Sequence, residues 1–440
     1  MTDAAFLSVR QARRELGAGN LSPVQLAEAV LAHADQLNPR LNAYLQLDPE
    51  VALAHARALA DGDSVKALFG IPICIKAVID VAGVPTTAGA ASWSRLPRRD
   101  ATAVRRLRAA GALIIPTGNT NEFAYGIDGR NPHWGDAANP LDPDRLSGGS
   151  SSGPAVAAAG GMALAGLGTD TSGSIRIPAS FCGLVGLRPT PGRIPADGVV
   201  PLAPSYDVPG LLTRDVDDLR LLFGVVATPR RSRAVESPLQ LTGLRVGVLE
   251  QLMDAAEGYV IDGVMAAARG LEEAGATLEP VRIEGLEHAG EIHRVIQWAE
   301  AAHVHQPWFE SQRERYSEGV RERLEAGRAL PAIAYLAAVD ARAKLRRRAT
   351  EAMRQTPVLI APTSPCTAPP RDQTEIEVRG VTRPDRDVLL TCVAPTAQFG
   401  APVVSVPIGV HEGMPYGMQS VARPGQDELA IELAAVCESL

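Results

Sequence analysis

Two short stretches concentrate small hydroxyl and hydrogen side chains: SGGSSSG at residues 147–153 and GTDTSGSIR at residues 168–176. Serine hydroxyls are latent nucleophiles, and glycines beside them let the backbone turn tightly or approach a bound molecule. A flexible Gly/Ser linker has the same composition. A linker separates units, however, whereas Pro154 to Ala159 reads as the start of a helix and MALAGLG, residues 162–168, as a buried strand. The clusters therefore sit at junctions between elements, where a rigid scaffold positions loops. Gly149, Ser151 and Gly153 also fit the G-x-S-x-G nucleophile elbow, which needs an apolar strand feeding it. The preceding NPLDPDRL has two prolines and three charged residues, which excludes a central strand. No lysine follows the glycines as a phosphate-binding loop requires.

A lysine elsewhere completes a possible set. In FGIPICIKAVIDVAG, residues 69–83, Lys76 closes an alternating apolar stretch, which turns its ammonium into the protein. A lone lysine in such a setting is commonly a snorkelling side chain. Paired with serine clusters and no neighbouring histidine or metal, a lysine held neutral is one of the few groups that can take a proton from a serine. Working as a base near pH 8 means lowering an ordinary lysine pKa of ~10.4 at a cost of about 3 kcal/mol, which burial under the apolar strand can supply.

Other chemistry-bearing residues read more plainly. His303 and His305 form an H-x-H pair in a stretch that reads as helical, where residues two apart do not share a face, so no metal site is expected. His133, in NPHWG, reads as a packed loop histidine, and the basic run at 341–355 as the solvated face of a helix.

The elements that must position these groups follow from periodicity. Ser22 as N-cap, Pro23 at the first helical position and Gln25 closing a capping box predict a helix, with Leu26, Val30 and Leu37 on one stripe. A helix followed by a short strand at Ala112 to Ile115 is expected from ATAVRRLRAAGALIIPTGN. The alternation returns in LRVGVLE, a helix around Val264 to Ala274, TLEPVRI, PVLIAPT and APVVSVPIG. Such interleaving indicates an α/β protein. At 440 residues the chain fits one large layered α/β/α domain, a central mixed β-sheet covered by helices, over residues 1–440. The catalytic core is expected at about 60–225 and 356–440, with a helix-rich cap or side layer at about 287–355 that sets selectivity. Residues 228–238 and 369–387, polar and Pro-containing, read as surface connections.

Composition bounds the partners. Apolar residues make up 46% and charged residues 21%, enough for a large core, and the formal charge of −7 argues against non-specific binding to nucleic acid or an anionic membrane. Five widely spaced cysteines without a C-x-x-C pair read as reduced thiols in a cytoplasmic protein. The N-terminus shows no signal-peptide pattern, and the longest weakly apolar run, PAVAAAGGMALAGLG, is too short to span a bilayer.

The run GGSSSGPAVAAAGGMALAGLGTDTSGSIRIPASFCGLVGLRPTPGRIP, residues 148–195, resembles the signature of the amidase signature family of serine amidohydrolases. Matching blocks lie around Lys76, at TGNTNEFAYG (117–126), VPGLLTRDVDDL (208–219) and LIAPTSP (359–365), and in the last forty residues, so the resemblance covers most of the chain and is weakest between about 225 and 355.

It implies a Ser-cisSer-Lys triad: Ser174 as nucleophile, Ser150 as the bridging serine after a cis bond from Gly149, and Lys76 as base. It further implies an oxyanion hole from the backbone N–H groups of Thr171, Ser172, Gly173 and Ser174, and supporting roles for Ser151, Asp170 and Arg176. Asp170 capping a turn and Arg176 pairing with a carboxylate are the simpler alternatives. Three positions depart from the family pattern: Ala77 where an acidic residue often follows the lysine, and Ser152 and Ser172 where glycine is common.

The implied activity is hydrolysis of a small-molecule carboxylic amide through a serine acyl-enzyme, without cofactor or metal, off the membrane and without nucleic acid unless the amidotransferase alternative below holds; a homodimer is compatible with it. The same family contains the glutaminase (A) subunit of tRNA-dependent amidotransferases. The chain is somewhat short for that role and lacks the tyrosine-rich block such subunits carry after the signature. A non-catalytic scaffold on a decayed fold is disfavoured because all three triad positions are retained.

Overall fold

The computed structural model describes residues 3–229 and 239–440, so most of the connection expected at 228–238 lies outside the described residues. Twelve strands are present among them. In chain order they are β1 (Pro72–Lys76), β2 (Leu113–Gly118), β3 (Ala165–Asp170), β4 (Val185–Arg188), β5 (Val208–Thr213) and β6 (Arg245–Leu249). There follow β7 (Thr277–Val281), β8 (Val358–Pro362), β9 (Glu375–Val378), β10 (Val381–Pro384), β11 (Val403–His411) and β12 (Met414–Ala422).

Ten of them form one mixed sheet in the order β2-β1-β3-β5-β4-β11-β12-β8-β6-β7. The pairs β1/β2, β1/β3, β6/β7 and β6/β8 are parallel, and the five pairs from β3 across to β8 are antiparallel. Strands β1, β3, β4, β5, β8 and β12 are buried along their whole length, as expected where helices cover both faces. The layered α/β fold with a mixed central sheet matches the sequence expectation.

Local signals explain the flanking helices. Ser22 Oγ accepts from the Gln25 N–H at 3.1 Å and Gln25 Oε1 accepts from the Ser22 N–H at 2.9 Å, a reciprocal cap on the helix Pro23–Leu41. Residues 289–355 form three helices, Ala289–Gln312, Glu318–Ala329 and Ala332–Gln355. On the last of these Leu345, Ala349 and Met353 are buried while Arg346 and Arg347 face solvent. His303 is exposed, whereas His305 is buried in an aromatic cluster, its Nδ1 2.9 Å from the Tyr316 hydroxyl and its ring edge-on to Phe123.

Residues 369–387 differ from the surface connection expected there. Strands β9 and β10 pair as an antiparallel hairpin, and the helix Asp385–Leu390 follows directly. Ile376 and Val378 are buried while Glu375 and Glu377 are exposed, a two-residue period inside a charged stretch. The charged residues hide that period.

Candidate active site

The site grows from the ends of two parallel neighbours. Strand β1 pairs with β3 through Ile73↔Ala165, Cys74↔Gly166 and Ile75↔Leu167, so Lys76 and Asp170 both terminate their strands at the same sheet end. Carboxyl ends of parallel strands are where open α/β sheets leave room for ligands. Gly168 faces the segment after Ser150, and a Cβ there would stand 2.5 Å from Ser151 Oγ. The missing side chain is what admits the serine cluster beside Lys76.

Lys76 is completely buried. Its Nζ donates to Ser150 Oγ at 2.8 Å, Thr169 Oγ1 at 2.9 Å and Ser151 Oγ at 3.0 Å. Burial lowers its pKa from 10.5 to about 7, against the charges of Asp170 and Asp207, which act to raise it. Among the described residues three hydroxyls and no carboxylate contact the amine, and an uncharged amine is readily reached near neutral pH. Ser151 is fixed in turn: its hydroxyl donates to the Thr169 carbonyl at 3.0 Å and accepts from the Thr169 N–H at 3.2 Å. No sequence motif singles out Thr169.

The Gly149–Ser150 peptide bond is cis. Ser150 and Ser174 are both buried, and the Ser151 N–H donates to the Ser174 carbonyl at 3.0 Å, joining the two serine clusters through the main chain. The Ser174 hydroxyl makes no hydrogen bond to protein among the described residues, so the Ser150–Ser174 contact of the implied relay is not made in this structure. Hydrogen bonds of this kind are often long without substrate and tighten when it binds.

Between Asp170 and the helix Arg176–Cys182 the chain makes a tight loop. The backbone N–H groups of Thr171, Ser172, Gly173 and Ser174 donate to no protein acceptor among the described residues. Such a run of free donors beside a serine is the arrangement an oxyanion needs. Gly173 has φ +145°, and a Cβ there would lie 2.4 Å from Val393 Cγ2, so only glycine fits. The Thr171 hydroxyl donates to Asp207 Oδ1 at 2.7 Å and anchors the loop start.

Beneath the loop lies a buried ionic cluster. Arg176 Nε and Nη2 donate to the two oxygens of Asp170 at 3.0 and 3.1 Å, and Arg188 Nη1 donates to the Asp170 carbonyl at 3.1 Å. Burial pushes the Asp170 carboxyl upward, but Arg176 and Arg188 outweigh it and hold it below its ordinary value. Arg176 Nη1 also reaches Thr396 Oγ1 at 2.7 Å, Gln419 Oε1 at 3.0 Å and the Val393 carbonyl at 3.1 Å, tying the loop to β12. Asp170 and Arg176 thus face each other rather than the serine hydroxyls, and their role is to hold the loop. Arg188, Asp207 and Gln419 escape a sequence reading because their partners are distant in the chain.

The three departures are accommodated. Ala77 is buried, its N–H donating to the Gly118 carbonyl at 2.9 Å. Ser152 begins the helix Ser152–Ala159, its hydroxyl 3.4 Å from the Asn119 carbonyl, and Ser172 is buried in the loop. His133 lies 2.9 Å from Glu122 and takes no part in the cluster. All five cysteines are free and buried. Among the described residues no helix is long and apolar enough to cross a membrane, and no group of His, Cys, Asp or Glu is placed to hold a metal ion.

With this fold and geometry in place, the match to known proteins is direct. Residues 25–431 match the Amidase family model, and the chain belongs to the amidase signature family. The A-type subunit of glutamyl-tRNA(Gln) amidotransferase from Chloroflexus aurantiacus is 35% identical, over 96% of this chain and 94% of that protein. The 2-amino-5-chloromuconic acid deaminase of Comamonas testosteroni is 34% identical, over 100% of this chain and 97% of that protein. A crystal structure described as an amidase superimposes with a TM-score of 0.92 at 36% identity, covering 98% of this chain and 99% of that one.

Proposed function

We propose that this protein is an amidohydrolase that cleaves a small carboxylic amide through an acyl-enzyme on Ser174. The observation that carries the reading is the buried, uncharged-prone Lys76 held 2.8 Å from Ser150 Oγ, with Ser151 bonded to the main chain of Ser174.

In this reading neutral Lys76 accepts a proton from Ser150 as Ser150 accepts one from Ser174. The Ser174 Oγ then forms a bond to the amide carbonyl carbon, and the carbonyl π electrons move to oxygen, where the free N–H groups of residues 171–174 receive the charge. Collapse breaks the carbon–nitrogen bond, and the leaving amine or ammonia takes the proton back from Lys76 through Ser150. Water attacks the ester by the same relay, releasing the acid and regenerating Ser174. No cofactor enters any step.

The test is release of ammonia or amine from a panel of amides by wild type and Ser174→Ala. Turnover by the wild type alone is expected, and undiminished turnover by Ser174→Ala contradicts the reading.

The amidotransferase relative favours a second reading, in which the chain is the glutaminase subunit of a tRNA-dependent amidotransferase and releases ammonia to a partner. It requires copurification with that partner and glutaminase activity that appears only in its presence. The isolated chain hydrolysing amides decides for the first reading.

A further inference from the structure

The antiparallel register of β3 and β5 places Asp170 opposite Val208, so one step further Thr171 stands opposite Asp207. Residues opposite each other at such a step have side chains close enough to bond. The Thr171 hydroxyl donates to Asp207 Oδ1 at 2.7 Å. Asp207 Oδ2 accepts from the Leu202 N–H at 2.8 Å and the Ala203 N–H at 3.0 Å. One carboxylate therefore closes residues 202–207 into a turn and fastens to it the start of the loop that offers the free N–H groups.

That turn is braced on two sides. Toward the sheet, the Val200 N–H donates to the Val78 carbonyl at 2.8 Å, two residues after Lys76. Toward the helix-rich layer, the Ser205 N–H donates to Glu300 Oε2 at 2.9 Å, and Arg342 Nη1 donates to Ser205 Oγ at 2.7 Å. Asp207 thus joins the loop to a frame that lies outside the two serine clusters.

Asp207 carries its charge differently from Asp170. Asp170 takes Arg176 at 3.0 Å and Arg188 at 3.8 Å, whereas Asp207 has no cation within ion-pair distance among the described residues. Its three partners are a hydroxyl and two peptide N–H groups, all donors, which an ionised carboxylate satisfies. The charged groups it acts on are Lys76 and Arg188 toward the sheet and Glu300 toward the helices. Burial pushes the Asp207 carboxyl above its ordinary value and Glu300 adds to the push, while the three donors pull it down. At Lys76 burial lowers the amine, and Asp170 and then Asp207 hold it up. A buried amine without such a charge nearby sheds its proton more easily and accepts one less well.

We propose that Asp207 is a positioning residue of the hydrolysis: through Thr171 it fixes the N–H groups of residues 171–174, and its uncompensated charge acts on the proton at Lys76. The proposal rests on the amidohydrolase reading above and adds how its oxyanion donors are held and its base is tuned. Asp207 touches neither substrate nor nucleophile and takes no proton itself.

Three variants separate the anchor from the charge. Thr171→Val removes the anchor and leaves the charge. Asp207→Ala removes both. Asp207→Asn removes the charge alone, since its amide can donate to Thr171 Oγ1 while its oxygen still accepts from the Leu202 and Ala203 N–H groups.

The experiment measures kcat and KM for the amide wild type uses best, and the rate at which a fluorophosphonate labels Ser174, between about pH 5.5 and 9.5. Thr171→Val and Asp207→Ala should lower kcat and the labelling rate by about 10- to 100-fold with KM changed by less than about threefold, the pattern of donors that act only in the transition state. Asp207→Asn should recover at least about fivefold of the rate lost in Asp207→Ala, because it keeps the anchor. Its activity limb should lie below that of wild type and of Thr171→Val by about half a pH unit or more, because a lysine that has lost a nearby negative charge becomes neutral at lower pH. A residue that only supports the fold would change the amount of active enzyme, read by urea midpoint and labelling stoichiometry, and leave the limb where it is.

Thr171→Val within about threefold of wild type in both rates, or an Asp207→Asn limb coincident with that of wild type, overturns the proposal whether or not Asp207→Ala folds. Wild type that is labelled on Ser174 but hydrolyses no amide overturns the amidohydrolase reading instead, and the labelling rates of the variants still decide on Asp207.

Discussion

Lys76 Nζ donates to Ser150 Oγ over 2.8 Å from a fully buried position. No carboxylate shares that contact. The amine is surrounded by the hydroxyls of Ser150, Ser151 and Thr169 instead, and burial has already brought it to about 7. A salt-bridged lysine would be locked as a cation, whereas this one can exchange its proton with a serine.

The pH dependence follows. In the proposed mechanism neutral Lys76 is the active form, so kcat/KM should rise with pH through a limb at about 7. Lys76→Met, similar in length and unable to titrate, should lose that limb along with at least about 10³-fold of the activity. Stability gives a second readout. Between about 7 and 10.5 the unfolded chain binds a proton that the native protein has released, so native stability gains with rising pH across that window. The difference in urea midpoint between wild type and Lys76→Met, measured at pH 6 and pH 10, should shift in favour of wild type at the higher pH.

Gly173→Ala should fail in two ways. It places a Cβ at φ +145° and 2.4 Å from Val393 Cγ2, which moves the loop and its free N–H donors. A fall of about 10²- to 10³-fold in kcat, comparable with losing one oxyanion donor, is expected together with about 1–3 kcal/mol of stability. Adding Val393→Ala removes the clash but not the backbone conformation and should restore only part of the stability. Paired kinetic and urea-melt measurements on the single and double variants check this.

Asp170→Asn should destabilise more than it slows chemistry directly. The substitution leaves Arg176 buried without its anion and removes the carboxylate 3.8 Å from Arg188 Nε, a loss of about 3–5 kcal/mol. The Asp170 carboxyl is held below its ordinary value, so its contribution is complete above that value and is lost as pH falls through the lower native one. Acid titration of the folded state should therefore show a smaller acid-side loss in the asparagine variant than in wild type.

Ser151→Ala removes one acceptor of Lys76 and both links to the main chain of Thr169. A loss of about 1–3 kcal/mol is expected from the Thr169 backbone groups left unpaired. Activity should fall by less than in Ser150→Ala, which breaks the proposed relay itself. Side-by-side kcat values for the two variants give the ordering.

Much of this organisation is legible in the sequence because it is local or motif-bound. The reciprocal cap at Ser22 and Gln25, the apolar alternation ending in Lys76 and the two serine clusters all stand within a few residues of their determinants. The positions that escape depend on distant segments. Arg188 serves the loop after Asp170 only because β4, β5 and β3 are neighbours in the sheet, and Thr169 reaches Lys76 only because β3 lies beside β1. The β9–β10 hairpin is obscured for a different reason, since charges on its exposed face mask the buried Ile376 and Val378.

The central claim is that Ser174 is the nucleophile and that Lys76 activates it. Labelling with a fluorophosphonate at pH 8, followed by peptide mapping, tests it most directly. The expected result is one adduct on Ser174, none on Ser174→Ala, and labelling of Lys76→Met slowed by about 10²-fold or more. Modification of a different residue, or labelling of Lys76→Met at the wild-type rate, would contradict it.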